Sequence, residues 1–183
     1  MNTSKCMICK SSNIEKFLSL GETPLANSFL KQEQLTFDEP SFPLEVLFCK
    51  DCTLVQLSYV VPPEAMFKNY LYVSSTSDAL RQHFGSFAGD AVNRFINSKN
   101  DLVIDIGSND GTLLKEFKKH NVRVLGVEPA TNIAEIANAD GIQTINVFFN
   151  EETALKVLSE KGRAKIITAT NVFAHVADLD GFV

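Results

Sequence analysis

The run LVIDIGSNDGTLL, from Leu102 to Leu114, restricts the folds open to this chain more than any other stretch. Apolar and β-branched residues lead into Asp105, Gly107 and Gly111 frame a short polar turn, and an amphipathic helical pattern begins behind them. A buried strand that ends in a tight turn and opens a helix is the repeating unit of a parallel α/β sheet. Ligands of such sheets bind at the carboxyl end of the strand. Gly107 lets the chain turn sharply and brings backbone N–H groups close to a ligand, because no Cβ intervenes. An ordinary βα turn would use such a glycine as well. Glu128 adds the chemical signal: it closes the next apolar run, VRVLGVEP, about 20 residues on, where an acidic side chain can accept from ribose hydroxyls. A nucleoside-containing cofactor is therefore expected.

The turn also discriminates among such cofactors. A dinucleotide fingerprint, G-x-G-x-x-G, would need glycines at 107, 109 and 112; these positions hold Gly107, Asn109 and Thr112. Asn tolerates a left-handed backbone, so it can stand in at the second position but offers no close approach to a pyrophosphate. Asp105 and Asp110 would repel phosphate and suit an ammonium and a sulfonium. S-adenosylmethionine (SAM) carries a ribose, an amino group and a positive sulfur, and no phosphate. It is the expected cofactor, with NAD the alternative.

The four cysteines fall in two pairs, Cys6-x-x-Cys9 and Cys49-x-x-Cys52, with 39 residues between the pairs. Each pair can form a knuckle, and four thiolates converging on one ion make a closed tetrahedral site. The second knuckle joins two strand-like runs, EVLF and TLVQL, as the hairpin of a zinc ribbon would. Two disulfides are the alternative for a secreted protein, but MNTSKCMICK has no apolar signal region. Structural Zn2+ is expected, with no coordination position left for a substrate. No apolar run approaches membrane-spanning length. The net charge of −5 comes from mixed acidic and basic residues, and Lys115, Lys118 and Lys119 form a solvated helix face. A soluble, cytoplasmic protein without a nucleic-acid or membrane partner is expected.

Between the knuckles, FLSLGETPLANSFL and DEPSFPLEV read as a turn, an ordered loop and an extended run, held together by the metal. Pro62 and Pro63 end the strand that follows, and residues 64–70 read as a short helix. From Asp78 a helical face appears through Leu80, Phe84, Phe87, Ala88, Ala91 and Phe95, capped by Ser77 or Asp78. Four strands then alternate with helices at about 111–119, 131–139 and 151–161, the pattern of a parallel sheet with right-handed crossovers. The resulting division is a zinc-binding domain over 1–75, a connecting helix over 76–100 and an incomplete Rossmann-like domain over 101–183.

Several strings taken together carry a family resemblance. CxxC followed by LGETPLANSFL, a second CxxC followed by LVQL, then VPPEAMF, YLYVSSTS, VIDIGSNDGTLL, LGVEPATNIAEIA and ATNVFAHV resemble the sugar C-methyltransferases of deoxysugar pathways, in order and over essentially the whole chain. The resemblance implies a zinc-binding module ahead of a class I methyltransferase sheet. It also implies SAM-dependent methylation at C3 of a nucleotide-linked 4-keto-deoxysugar, through an enolate. By similarity, Asp105, Gly107, Asn109 and Gly111 form the cofactor turn and Glu128 contacts ribose. Asn171 lies beside the methionine end, and Phe149 flanks the adenine. Tyr70 and His175 match positions lining the sugar pocket and are carried as catalytic candidates, although a packing aromatic and a helix-start histidine are the plain alternatives.

Relatives of that family are more than twice as long and have a seven-stranded sheet, so the chain resembles their N-terminal part and is expected to be inactive alone. The expected strand order is 3-2-1-4. The fourth strand, KIITATN, is then an open apolar edge, and either a homodimer through that edge or loose order beyond about residue 165 follows. A stand-alone module that binds SAM or a nucleoside without chemistry, or a fragment of an NAD-dependent nucleotide-sugar oxidoreductase, are the other readings.

Overall fold

In the computed structural model, which describes residues 3–26, 28–67 and 71–183, the chain divides between Phe67 and Lys68. The first unit is Met1–Phe67 with Ala177–Gly181 and Val183, and the second is Lys68–Val176 with Phe182.

The first unit is built on an antiparallel sheet of order β1-β2-β3: β1 (Ile14–Pro24), β2 (Ser41–Cys49) and β3 (Val55–Leu57). The hairpin β2–β3, paired from Val46↔Leu57 to Phe48↔Val55, is the one read from EVLF and TLVQL. β1 differs from expectation, for the sequence there reads as turn and loop. Its residues are exposed or half-buried along the whole strand, so no burial face imposes the two-residue alternation by which strands are read. Backbone pairing with β2 defines it instead, through two register breaks. The short helix α1 (Pro63–Phe67) closes the unit, and the last three residues of the expected 64–70 helix lie outside the described residues.

In the second unit the expected order appears: a four-stranded parallel sheet β6-β5-β4-β7, which is 3-2-1-4 in chain order. Its strands are β4 (Leu102–Ile106), β5 (Arg123–Val127), β6 (Thr144–Ile145) and β7 (Ala164–Thr168). Between them run α3 (Thr112–Lys118), α4 (Thr131–Ala139) and α5 (Glu151–Lys161), and α2 (Asp78–Phe95) precedes them. β4 is buried at every residue, as an inner parallel strand must be. Val103 joins Phe84, Ala88, Leu113, Leu114 and Phe117 on one face. Leu102, Ile104 and Ile106 join Leu125, Val127 and Val157 on the other. Helix α2 thus supplies core to the second unit, and Ser77 caps it by accepting from the Leu80 N–H at 3.3 Å. β6 is shorter than IQTINVF suggests, because the Asn146 side chain turns away to donate to the Glu128 and Pro129 carbonyls. β7 pairs only with β4 among the described strands and leaves Ile167 59% exposed, as an edge strand does. Among the described residues, no helix is long and apolar enough to cross a membrane.

Candidate cofactor site and cysteine cluster

Three of the four parallel strands deliver expected site residues at or just beyond their carboxyl ends. β4 carries Asp105 and the turn Gly107–Gly111, β5 is followed by Glu128, and β7 by Asn171. The order reverses between β4 and β7, the place in such a sheet where a crevice forms. Positive φ angles at Gly107 (64°), Asn109 (51°) and Gly111 (75°) make the turn, so Asn109 adopts the left-handed conformation expected of it. The Gly107 and Ser108 N–H groups donate to the Val127 carbonyl at 2.8 and 3.2 Å, binding the turn to the end of β5. A Cβ at Gly107 would lie 2.5 Å from Val172 Cγ2, and one at Gly111 would lie 3.0 Å from Ile142. A side chain at Gly107 would thus require Val172 to shift, one at Gly111 would crowd Ile142, and the positive φ favours glycine at both.

Two buried carboxylates dominate the electrostatics. Asp105, 3% exposed, accepts from the Thr168 hydroxyl at 2.7 Å. Burial pushes its carboxyl up to about 7, against the Thr168 hydrogen bond and with help from the negative Glu128. Glu128 is likewise raised by burial, offset in part by the Ala130 and Asn109 N–H groups, which it accepts at 2.9 Å each. A carboxylate offers about four acceptor positions, so Glu128 supports the turn and retains capacity for hydroxyl donors. Asp110 is buried too, but the hydrogen bonds it accepts from Ser75 and Thr112, together with nearby Lys115, outweigh burial and hold it below its usual range. The charge set suits a cation with hydroxyls: the turn residues Ser108–Gly111 include no basic side chain, and Lys115, in the last turn of α3, is paired with Asp140 at 2.7 Å.

The remaining expected residues are placed unevenly. Phe149 is half-buried beyond β6, packs against the Val157 side of the core and meets Phe182 edge-on at 5.5 Å. Asn171 is exposed, with φ 56°. His175 ends a 3-10 turn, Phe173–His175, and is exposed. Tyr70 lies outside the described residues. Sequence reasoning missed Thr168, the partner of Asp105, and Val172, which fills the space over Gly107. It also missed Gly126, where a Cβ would lie 2.5 Å from Ser108 Oγ and 2.7 Å from Thr144 Oγ1. Ser108 Oγ itself is buried without a hydrogen-bond partner among the described residues. A glycine in mid-strand, where a side chain would normally pack, was the available signal for Gly126. Nothing in the one-dimensional pattern points to the other two.

In the first unit, Cys6, Cys9, Cys49 and Cys52 bring four sulfurs within 4.8 Å of one another. The shortest separations are 3.4 Å (Cys6–Cys52) and 3.5 Å (Cys9–Cys49). Ligands at about 2.3 Å in a tetrahedron stand roughly 3.8 Å apart, so the cluster fits one metal ion. The knuckles match each other. Lys10 N–H donates to Cys6 O at 3.0 Å and Thr53 N–H to Cys49 O at 2.8 Å, with φ of 60° and 64° at the residue after each second cysteine. Burial raises the Cys6 thiol, but the Cys9 and Ile8 N–H groups and neighbouring thiols pull it down to about 6. At Cys9 the Ser11 N–H lowers the thiol, while burial and the other three sulfurs drive it up to about 12. Gathering further negative charge here calls for a cation. Gln56, buried on β3, braces the first knuckle by accepting from Met7 N–H at 2.8 Å and donating to Lys5 O at 3.1 Å.

The comparisons with known proteins also separate the cysteine-bearing part from the α/β part, but they assign residues 177–183 wholly to the latter. Residues 6–67 match a family described as a zinc binding domain, and residues 80–183 match a methyltransferase domain. C-methyltransferase NovU of Streptomyces niveus is 34% identical over 175 residues, which is 96% of this chain and 42% of that protein. A ubiquinone biosynthesis O-methyltransferase of Methylobacterium sp. (strain 4-46) is 29% identical over 82 residues, 44% of this chain and 33% of that protein. The chain thus spans less than half the length of either relative. A SAM-dependent methyltransferase structure from Archaeoglobus fulgidus overlaps 42% of this chain and 32% of its own, at 17% identity and a TM-score of 0.33.

Proposed function

Because the chain belongs to the methyltransferases, with a zinc-binding domain ahead of the methyltransferase domain, we propose that it is the zinc- and cofactor-binding part of a SAM-dependent sugar C-methyltransferase. The observation that carries this reading is the pair of buried carboxylates, Asp105 and Glu128, beside a glycine turn with no basic side chain. Bound SAM would supply an electrophilic methyl group on its sulfonium. Asp105 would face the positive end of the cofactor, Glu128 would accept from the ribose hydroxyls, and Gly107, Asn109 and Gly111 would hold the turn open for it. Phe149 would flank the adenine and Asn171 the methionine end. Cys6, Cys9, Cys49 and Cys52 would hold zinc as a structural ion, since four protein sulfurs leave no open position.

Carbon as the acceptor is supported by the name of the relative that covers 96% of the chain, a C-methyltransferase. A nucleotide-linked 4-keto-deoxysugar is supported by the resemblance of the strings YLYVSSTS and ATNVFAHV. In such a sugar the 4-keto group acidifies the C3 proton. A base would take that proton, and the resulting enolate carbon would accept the methyl group as its bond to sulfur breaks, leaving S-adenosylhomocysteine. His175 and Tyr70 are the proposed sugar-side groups of this part of the enzyme. β7, which leaves Ile167 exposed at the edge of the described sheet, would offer that edge to a second copy of the chain. Calorimetry of the chain with S-adenosylhomocysteine and with NAD tests the cofactor assignment. S-adenosylhomocysteine should bind and NAD should not. Glu128→Ala should weaken binding by about 1.5–3 kcal/mol for each charge-assisted hydrogen bond lost. NAD binding in its place would overturn the reading.

A further inference from the structure

The segment Leu71–Thr76 has no strand partner among the described residues, yet the backbone of Tyr72, Ser74 and Ser75 is captured by side chains of the cofactor turn and of α2. Ser74 N–H donates to Asn109 Oδ1 at 2.8 Å, and Asn109 Nδ2 donates to the Tyr72 carbonyl at 3.0 Å. Ser75 N–H donates to Asp110 Oδ2 at 3.2 Å, while the Arg81 guanidinium donates to the Ser75 carbonyl. Backbone groups off the regular ladders need such partners, and here two come from adjacent residues of one turn. A turn that needed only its conformation could use glycine at 109; the side chain present instead makes two bonds to a segment 35 residues or more away in sequence.

The same residue is bound on its other side. Asn109 N–H donates to Glu128 Oε2 at 2.9 Å. Glu128, Asn109 and the segment 72–74 therefore form one continuous hydrogen-bonded path. We infer that Asn109 is a positioning residue that couples occupancy of Glu128 to the docking of Leu71–Thr76 on the cofactor turn. A ribose hydroxyl donating to Glu128 fixes the carboxylate, which fixes the Asn109 backbone and with it the amide that holds Ser74 and Tyr72. Asp110 is the second anchor, set by its bonds from Thr112 N–H and Oγ at 3.2 and 2.6 Å. The inference rests on the assignment of Glu128 to ribose.

Amide hydrogen exchange at Ser74 in the whole chain, with and without saturating S-adenosylhomocysteine, tests the coupling. In the unmodified chain the ligand should slow Ser74 exchange by about tenfold. Asn109→Gly keeps the φ of 51° accessible and deletes the side chain. It should speed Ser74 exchange in the free chain by a similar factor and abolish the response to ligand, even with the site filled. Asn109→Asp, which keeps the acceptor for Ser74, should restore the response. A Ser74 response of equal size in the unmodified chain and in Asn109→Gly, or no response in a chain that demonstrably binds the ligand, would overturn the coupling alone. Failure of the unmodified chain to bind S-adenosylhomocysteine would overturn the coupling together with the cofactor assignment.

Discussion

The two units of this chain hold themselves together by different means. Among the described residues, the buried apolar set of the first unit is Cys6, Leu47 and Cys49, two of which belong to the cysteine cluster. The second unit buries two apolar layers, one on each face of a parallel sheet, with Phe117, Leu114 and Val103 at or near zero exposure. The exposed side chains of Phe17, Leu20, Phe29 and Phe37 show how little of the first unit's apolar surface finds cover within it. Hydrophobic burial stabilises in proportion to area removed from water, at roughly 25 cal/mol per Å2. A unit with three buried apolar residues must therefore obtain its stability elsewhere, and the cysteine cluster is the element able to provide it. The second unit can tolerate three buried carboxylates, Asp105, Asp110 and Glu128, at its site because its core is large enough to offset them.

Removing the metal separates the two most sharply. Structural zinc contributes on the order of 10–16 kcal/mol to small zinc modules. Chelation, or Cys49→Ser at a fully buried ligand, should abolish chemical-shift dispersion for residues 3–67 and leave the strands β4–β7 folded. Metal analysis should give one zinc per chain before treatment. Loss of both units together, or of neither, would break the contrast. The converse cut comes next in size. Phe117→Ala empties a fully buried position packed edge-on against Phe87 at 6.3 Å. It should cost about 3–5 kcal/mol in the second unit alone, seen as a lowered denaturant midpoint with zinc retained.

A smaller effect concerns charge. The folded pKa of Asp105, near 7, lies above its ordinary value of 3.8. Between those values the folded chain holds a proton that the unfolded chain has released. Stability of the second unit should fall as pH rises from about 4 through 7, and Asp105→Asn should flatten that slope. Cation binding favours the ionised carboxylate, so affinity for a sulfonium ligand should rise over the same interval. An affinity independent of pH between 6 and 8 would remove Asp105 from the cofactor site.

The contrast also explains what was legible in the sequence. In the second unit, β4, the turn and the spans of α4 and α5 follow from apolar periodicity, Gly107 and Gly111, because burial on both faces imposes a pattern on the residues. The order 3-2-1-4 is what the family resemblance implies; right-handed crossovers alone do not fix which strands are neighbours. In the first unit the cysteine spacing announces the cluster, whereas β1 leaves no pattern because neither of its faces is buried. β6 shortens to two residues through side-chain bonds of Asn146 that no local signal encodes. Within the site, residue types at the strand ends reveal Asp105 and Glu128. The second role of Glu128 in bracing the Asn109 and Ala130 amides, and the capture of Ser74 by Asn109, depend on segments distant in sequence. Such contacts come from the fold and leave no local trace.

The claim that the cysteine cluster is a staple and the α/β unit is the cofactor carrier meets its most direct test in one titration. S-adenosylhomocysteine is titrated calorimetrically into the Cys49→Ser chain and into the unmodified, zinc-loaded chain under the same conditions. Equal affinity for the two, with the first unit unfolded in the variant, is the predicted result. Binding lost along with the zinc, or absent from the zinc-loaded chain itself, would contradict it.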